Sequence, residues 1–115
     1  MSKRARAVET VSVEVNSLKG KRKGTILKDE VWYEDGEVIA YNLAYINLKR
    51  CRVDHGRVLG YDNSHGFHHR HFMGKVEAIE FRSYDALVER FIREVHELWR
   101  IEDAEDQSYL ENRQY

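Results

Sequence analysis

The stretch "TILKDEVWYEDGEVIAYNLAYINL", residues 25–48, decides how the chain folds. Two runs rich in β-branched and aromatic residues flank Glu34-Asp35-Gly36-Glu37. Asp-Gly between such runs is the strongest short-range hairpin signal, because both residues accept the positive φ that a tight turn demands. In the second run Ile39, Tyr41, Leu43 and Tyr45 alternate onto one face, and Val38, Ala40, Ala44 and Ile46 onto the other. Apolar residues on both faces are the mark of a strand inside a sheet.

The flanking segments extend that sheet. Upstream, "VSVEV" (11–15) places Val11, Val13 and Val15 on one face, and "NSLKGKRKG" (16–24), with two glycines and four cations, reads as a loop. Downstream, "RVDHGRVLGYDN" (52–63) turns at Asp54-His55-Gly56 and supplies a strand ending near Tyr61, while "MGKVEAIEF" (73–81) alternates well enough for a last one. From Tyr84 the period changes. Tyr84, Leu87, Val88, Phe91, Ile92, Val95, Leu98 and Trp99 form an i, i+3, i+4 stripe, with Ser83 placed to cap it and Asp85 at its positive end. The prediction is an α+β fold: an antiparallel meander of four to five strands, packed by one long C-terminal amphipathic helix over 84–102. Residues 1–22 read as a basic arm or edge strand, 23–103 as a single domain and 104–115 as an acidic tail.

A chain of 115 residues supports one modest core. Its net charge of −1 argues against a protein that coats nucleic acid wholesale, while leaving room for a local basic site. Cys51 stands alone, so neither an intrachain disulfide nor a paired-cysteine zinc motif is available. No apolar run approaches the roughly 20 residues that span a bilayer, and "MSKRARAVET" lacks the apolar stretch of a signal peptide. The expected location is cytoplasmic. Charge is unevenly spread: Lys3, Arg4, Arg6, Lys19, Lys21, Arg22, Lys23 and Lys28 face only Glu9 and Glu14, whereas "IEDAEDQSYLENRQY" is acidic apart from Arg113. Such ends are either simply solvated, or a head that leans on phosphate and a tail that docks elsewhere.

"YDNSHGFHHRHF" (61–72) gathers His65, His68, His69 and His71, while His55 and His96 look like surface residues. A metal site is one reading, since His69 and His71 share a strand face and His65 could approach from the loop. Against it, no His-Glu-x-x-His pair accompanies them and Asp62 is the one carboxylate of the segment. Metal-free cleavage of an RNA phosphodiester is the second reading. It needs a base for the 2′-hydroxyl, an acid for the leaving oxygen and a cation where charge builds up. Histidine, with an unperturbed pKa of about 6.5, offers both forms near neutrality. His69 and His71 are the candidate acid–base pair, Arg70 the anion-binding residue and Asp62 the orienting carboxylate. On a regular strand, however, Arg70 points away from both histidines. Lys75 and the loop 19–23, with Lys21 and Arg22, are the other cations for phosphate. Asn63 could orient an imidazole, Gly66 could leave room for phosphate, and Tyr61, Tyr41, Tyr45 or Trp32 could stack on bases. A third reading is an ordinary polar hairpin, because Asp-Asn-Ser is common turn chemistry. The pattern alone leaves all three open.

The order "GRVLGYDNSHGFHHRHFMGKVEAIEFRSYDALVERFIREV" (56–95) resembles the TumE toxins of prokaryotic toxin–antitoxin pairs. The match falls on Tyr61-Asp62-Asn63, Gly66, His69-Arg70-His71, Gly74 and Phe81, then on Leu87 and Phe91 in the helix, covering roughly 52–98. Phe67-His68 occupies a shorter loop where relatives carry Gly-Lys-Gly-Asp, so His65 and His68 are this chain's own candidates for contacts to RNA. The resemblance implies a small toxin silenced by a cognate antitoxin, for which a helix-turn-helix protein is one form. It also raises the ribonuclease reading, without metal or other cofactor, over two rivals: non-catalytic binding to RNA or the ribosome, and a metal-binding histidine cluster. A homodimer and a hetero-oligomer are both compatible with it, and no membrane is involved.

Overall fold

The computed structural model describes residues 8–112; Lys3, Arg4, Arg6 and Arg113 lie outside them. Six strands follow one another as an antiparallel meander in the order β1-β2-β3-β4-β5-β6. They are β1 (Val8–Ser17), β2 (Ile26–Glu34), β3 (Glu37–Ile46), β4 (Arg57–Asp62), β5 (His69–Phe72) and β6 (Lys75–Ala78). The hairpin expected at Asp35-Gly36 is present, with φ of 51° and 79° at its two turn residues. Six strands stand where four to five were expected. The additional strand is His69–Phe72 in the histidine segment, and Met73-Gly74, with φ of 49° and 85°, turns it back against β6 at the start of the segment read as the last strand.

The helix α1 (Tyr84–Asn112) crosses one face of the sheet. Tyr41, Leu43 and Tyr45 of β3 and Leu59 and Tyr61 of β4 are buried, forming one cluster with Leu87, Phe91, Val95 and Leu98. Ser83 caps the helix, its Oγ accepting the Ala86 N–H at 3.1 Å. The helix continues past the expected end at 102, since no glycine or proline interrupts "DAEDQSYLEN". It is not long and apolar enough to cross a membrane.

Near that end the basic loop and the acidic helix meet each other. Lys21 Nζ and an Arg22 amino group both lie 3.0 Å from Asp103 Oδ2, and Arg22 stacks 4.5 Å over the Trp99 ring. Beneath them buried Glu102 accepts from the Tyr45 hydroxyl at 2.8 Å. Burial, followed by that hydrogen bond, pushes the Tyr45 pKa up to about 12.

Among the described residues, no α-helix covers the opposite face of the sheet. A bulge at Val58 matters there: Tyr45 pairs with Leu59, but Ile46 pairs with Arg57. The extra residue turns Arg57 onto the open face with Gly60 and Asp62, where simple alternation would put it on the helix side.

Candidate active site

β4 and β5 bring three side chains together on the open face. Asp62 pairs with His69, and Gly60 with His71, so the carboxylate and both imidazoles share one side of the ladder. His69 Nε2 lies 2.7 Å from Asp62 Oδ1. His71 Nε2 lies 3.0 Å from Asp62 Oδ2 but off the hydrogen-bond direction. The two rings stand edge to face with centroids 4.7 Å apart.

The partners of the remaining nitrogens distinguish the two histidines. His69 Nδ1 faces the Phe67 carbonyl at 3.0 Å, so both of its ring nitrogens meet acceptors. That geometry is fully satisfied by an imidazolium with two N–H donors. His71 Nδ1 instead faces a guanidinium nitrogen of Arg57 at 3.0 Å. Arginine has no acceptor, so Nδ1 holds the lone pair and the ring proton sits on Nε2. Burial, then the Arg57 charge, holds the His71 pKa below the usual histidine value. Burial, the largest single influence, works to raise the Asp62 pKa, but its hydrogen bonds and charged neighbours together outweigh it. The Ser64 hydroxyl at 2.7 Å and backbone N–H at 3.1 Å, with the two imidazoles, keep the carboxyl below its ordinary range.

Arg57 was not singled out from the sequence, because the bulge that aims it leaves no mark in the alternation. Asp54 clamps it through Nε at 2.7 Å and a terminal nitrogen at 3.1 Å, and Asp62 Oδ2 lies 3.3 Å away. Its stem crosses Gly60, where a Cβ would sit 2.5 Å from Arg57 Cδ and 3.1 Å from the Leu43 carbonyl oxygen. Beyond Arg57 the open face sinks into a depression of about 230 Å³ lined by Lys28, Asn42, Ala44, Ile46, Asp54, His55 and Arg57.

The other sequence candidates are elsewhere. Arg70 points to the helix side, donating from Nε to the Tyr61 hydroxyl at 3.0 Å and from a terminal nitrogen to Glu94 at 3.1 Å. Tyr61 is fully buried and also bonded to Glu94, while Tyr41 and Tyr45 are buried too. Lys75 pairs with Phe72, away from the imidazoles. Lys21 and Arg22 are occupied by Asp103. Asn63 accepts the Tyr41 N–H at 3.1 Å and donates to the Ile39 carbonyl at 2.9 Å, pinning the turn to β3. His65 is an exposed turn residue with a φ of 63°. His68 stacks on Phe81 at 3.9 Å and meets the Tyr41 hydroxyl at 2.9 Å.

Asp62, His69 and His71 bring one ligand atom each within 4.8 Å of one another, the spacing of a cation site. His69 suits a ligand, since its Nδ1 proton is held by a backbone carbonyl. His71 does not: with Arg57 against Nδ1, its Nε2 carries the proton and has no lone pair to give. A guanidinium 3.3 Å from the carboxylate also supplies the positive charge that a cation would. The donor set does not fit a divalent ion.

The family model described as Toxin TumE matches residues 3–99, extending well upstream of the motif-bearing half. No curated protein and no solved structure matches the chain.

Proposed function

The chain belongs to the TumE toxin family, and from that premise we propose that this toxin acts by metal-independent cleavage of RNA at Asp62, His69 and His71, assisted by Arg57. The observation that carries the reading is the pairing of one imidazole poised as a base with one poised as an acid, 4.7 Å apart on a shared carboxylate. Two rings whose partners differ in kind, acceptors at both nitrogens of His69 and a guanidinium donor at His71 Nδ1, are suited one to donate and the other to accept.

In this mechanism a phosphodiester oxygen takes the Arg57 donor from His71, which frees the Nδ1 lone pair. His71 Nδ1 then accepts the 2′-hydroxyl proton as the 2′-oxygen attacks phosphorus. The P–O5′ bond breaks, and the leaving oxygen takes a proton from His69. Arg57 holds the charge that builds on the phosphate, while Asp62 orients His69 and sets its negative charge beside His71. The products are a 2′,3′-cyclic phosphate and a 5′-hydroxyl. An antitoxin, the partner that the toxin family implies, keeps the activity silent.

The test is incubation of the purified protein with total RNA in excess chelator. Cleavage with cyclic-phosphate ends is expected, together with its loss in His71→Ala and Asp62→Asn. Intact RNA, or full cleavage by His71→Ala, overturns the assignment. The burial of His69, only 4% exposed, favours one rival: a non-catalytic RNA-binding inhibitor in which the three side chains merely shape the turn. It predicts poisoned cells with intact RNA.

A further inference from the structure

Phe67 has no role in the chemistry above, yet its placement is unusual. It is 49% exposed, and its ring lies 4.7 Å from that of His69 at a 40° tilt. Its backbone is fixed to the site, because the Phe67 carbonyl faces His69 Nδ1 at 3.0 Å. Across His71 on the same face stands Val76, its register partner on β6, which is 57% exposed. An apolar wall therefore rises on either side of two polar rings. None of the other aromatic candidates serves this place: Tyr41, Tyr45 and Tyr61 are buried, and Trp32 lies on β2, three strands from β5.

We propose that Phe67 is the stacking platform for a nucleobase, forming a subsite for single-stranded RNA between its ring and Val76. The inference rests on the RNA reading of the imidazole site. An exposed aromatic ring beside a site for phosphate is how proteins seize unpaired bases, which present a flat apolar face whatever their sequence. The ring flanks His69, the acid for the leaving oxygen, so the stacked base belongs to the nucleotide on the 3′ side of the broken bond. Stacking is stronger for purines, and this position therefore prefers adenine or guanine.

The test uses short oligoribonucleotides with one purine or pyrimidine at the 3′ position, and the variants Phe67→Ala, Phe67→Leu and Phe67→Trp. Alanine and leucine raise KM about ten- to a hundredfold and erase the purine preference, with kcat within about threefold. Leucine keeps the apolar cover of His69, so a purely structural role would leave Phe67→Leu near wild type and overturn the proposal. In Phe67→Trp the added indole fluorescence, measured as the difference from wild type, is quenched by oligonucleotide but not by inorganic phosphate. Should wild type bind without cleaving, this quenching together with at least tenfold weaker binding by Phe67→Ala upholds the platform while the ribonuclease reading fails. Cleavage or binding indifferent to all three variants overturns the platform alone. Loss of antitoxin neutralisation with RNA binding unchanged also overturns it, marking Phe67 as a protein contact.

Discussion

At the scale of the residue, the decisive feature is the environment of His71. Groups from three elements face it: Arg57 and Asp62 from β4, His69 from β5 and Asp54 from the turn before β4. Burial and the two cationic neighbours disfavour its protonation more than the two carboxylates favour it. The base form thus persists at lower pH than for an ordinary histidine. The acid limb of kcat/KM is expected below the usual value of about 6.5. Arg57→Ala removes a neighbouring positive charge, so the limb should move upward while the rate falls; a limb that stays in place would show that another group is the base. Gly60 gives a second check. A methyl group at this position meets the Arg57 stem at 2.5 Å and, less severely, the Leu43 carbonyl oxygen at 3.1 Å. Gly60→Ala should lower kcat about tenfold or more by displacing the guanidinium. Since the sharper contact is with Arg57, Gly60→Ala should cost far less in the Arg57→Ala background than in wild type, a non-additivity visible in single-turnover rates.

At the scale of the element, β5 serves two faces. His69 and His71 reach the open side, while Arg70 reaches across to Glu94 on α1, sharing it with the buried Tyr61 hydroxyl. The middle residue of the His-Arg-His motif therefore fastens the strand to the helix. Glu94→Ala leaves the buried Tyr61 hydroxyl and the Arg70 guanidinium short of an acceptor, a cost of about 1–3 kcal/mol. The thermal midpoint should fall by roughly 4–12 °C, with activity per folded molecule almost unchanged because the imidazoles lie on the other face. A mutant that melts normally but cleaves poorly would place Glu94 in the chemistry instead. This division explains what could be read in advance. Strict alternation in a strand places His69 and His71 together and sends Arg70 away, so the co-facial pair was legible from spacing. Arg57 was not, because a bulge shifts the register by one residue, and whether Val58 bulges depends on its partner strand. The Met73-Gly74 turn is hidden for a similar reason: a glycine near the start of an alternating run reads equally as strand or turn until both neighbours pair.

At the scale of the whole molecule, part of the uneven charge among the described residues is neutralised internally. The basic loop and the acidic helix, some 82 residues apart in sequence, neutralise each other through Lys21, Arg22 and Asp103, with Arg50 and Glu105 beside them. Composition shows that the two ends are opposite in sign, but only the meander shows that they are neighbours. The clamp also defines where the helix stops contributing to the domain. Glu102 is buried against Tyr45 and Asn47, whereas residues 104–111 are all exposed. A chain ending at Asp103 gives up the Arg50–Glu105 pair, whose acidic partner is exposed, and should melt within about 2 °C of full length. A chain ending at Ile101 loses the acceptor for a buried hydroxyl and both salt bridges to the loop, and should melt roughly 8 °C lower or more. Salt separates the two contributions in that shorter chain. The buried hydrogen bond is insensitive to ionic strength and the surface pairs are screened, so the gap between the two truncations should narrow only slightly at 1 M salt. If the gap closes completely, the clamp is electrostatic and Glu102 is dispensable. If both chains melt like full length, the helix beyond Ile101 carries none of the fold.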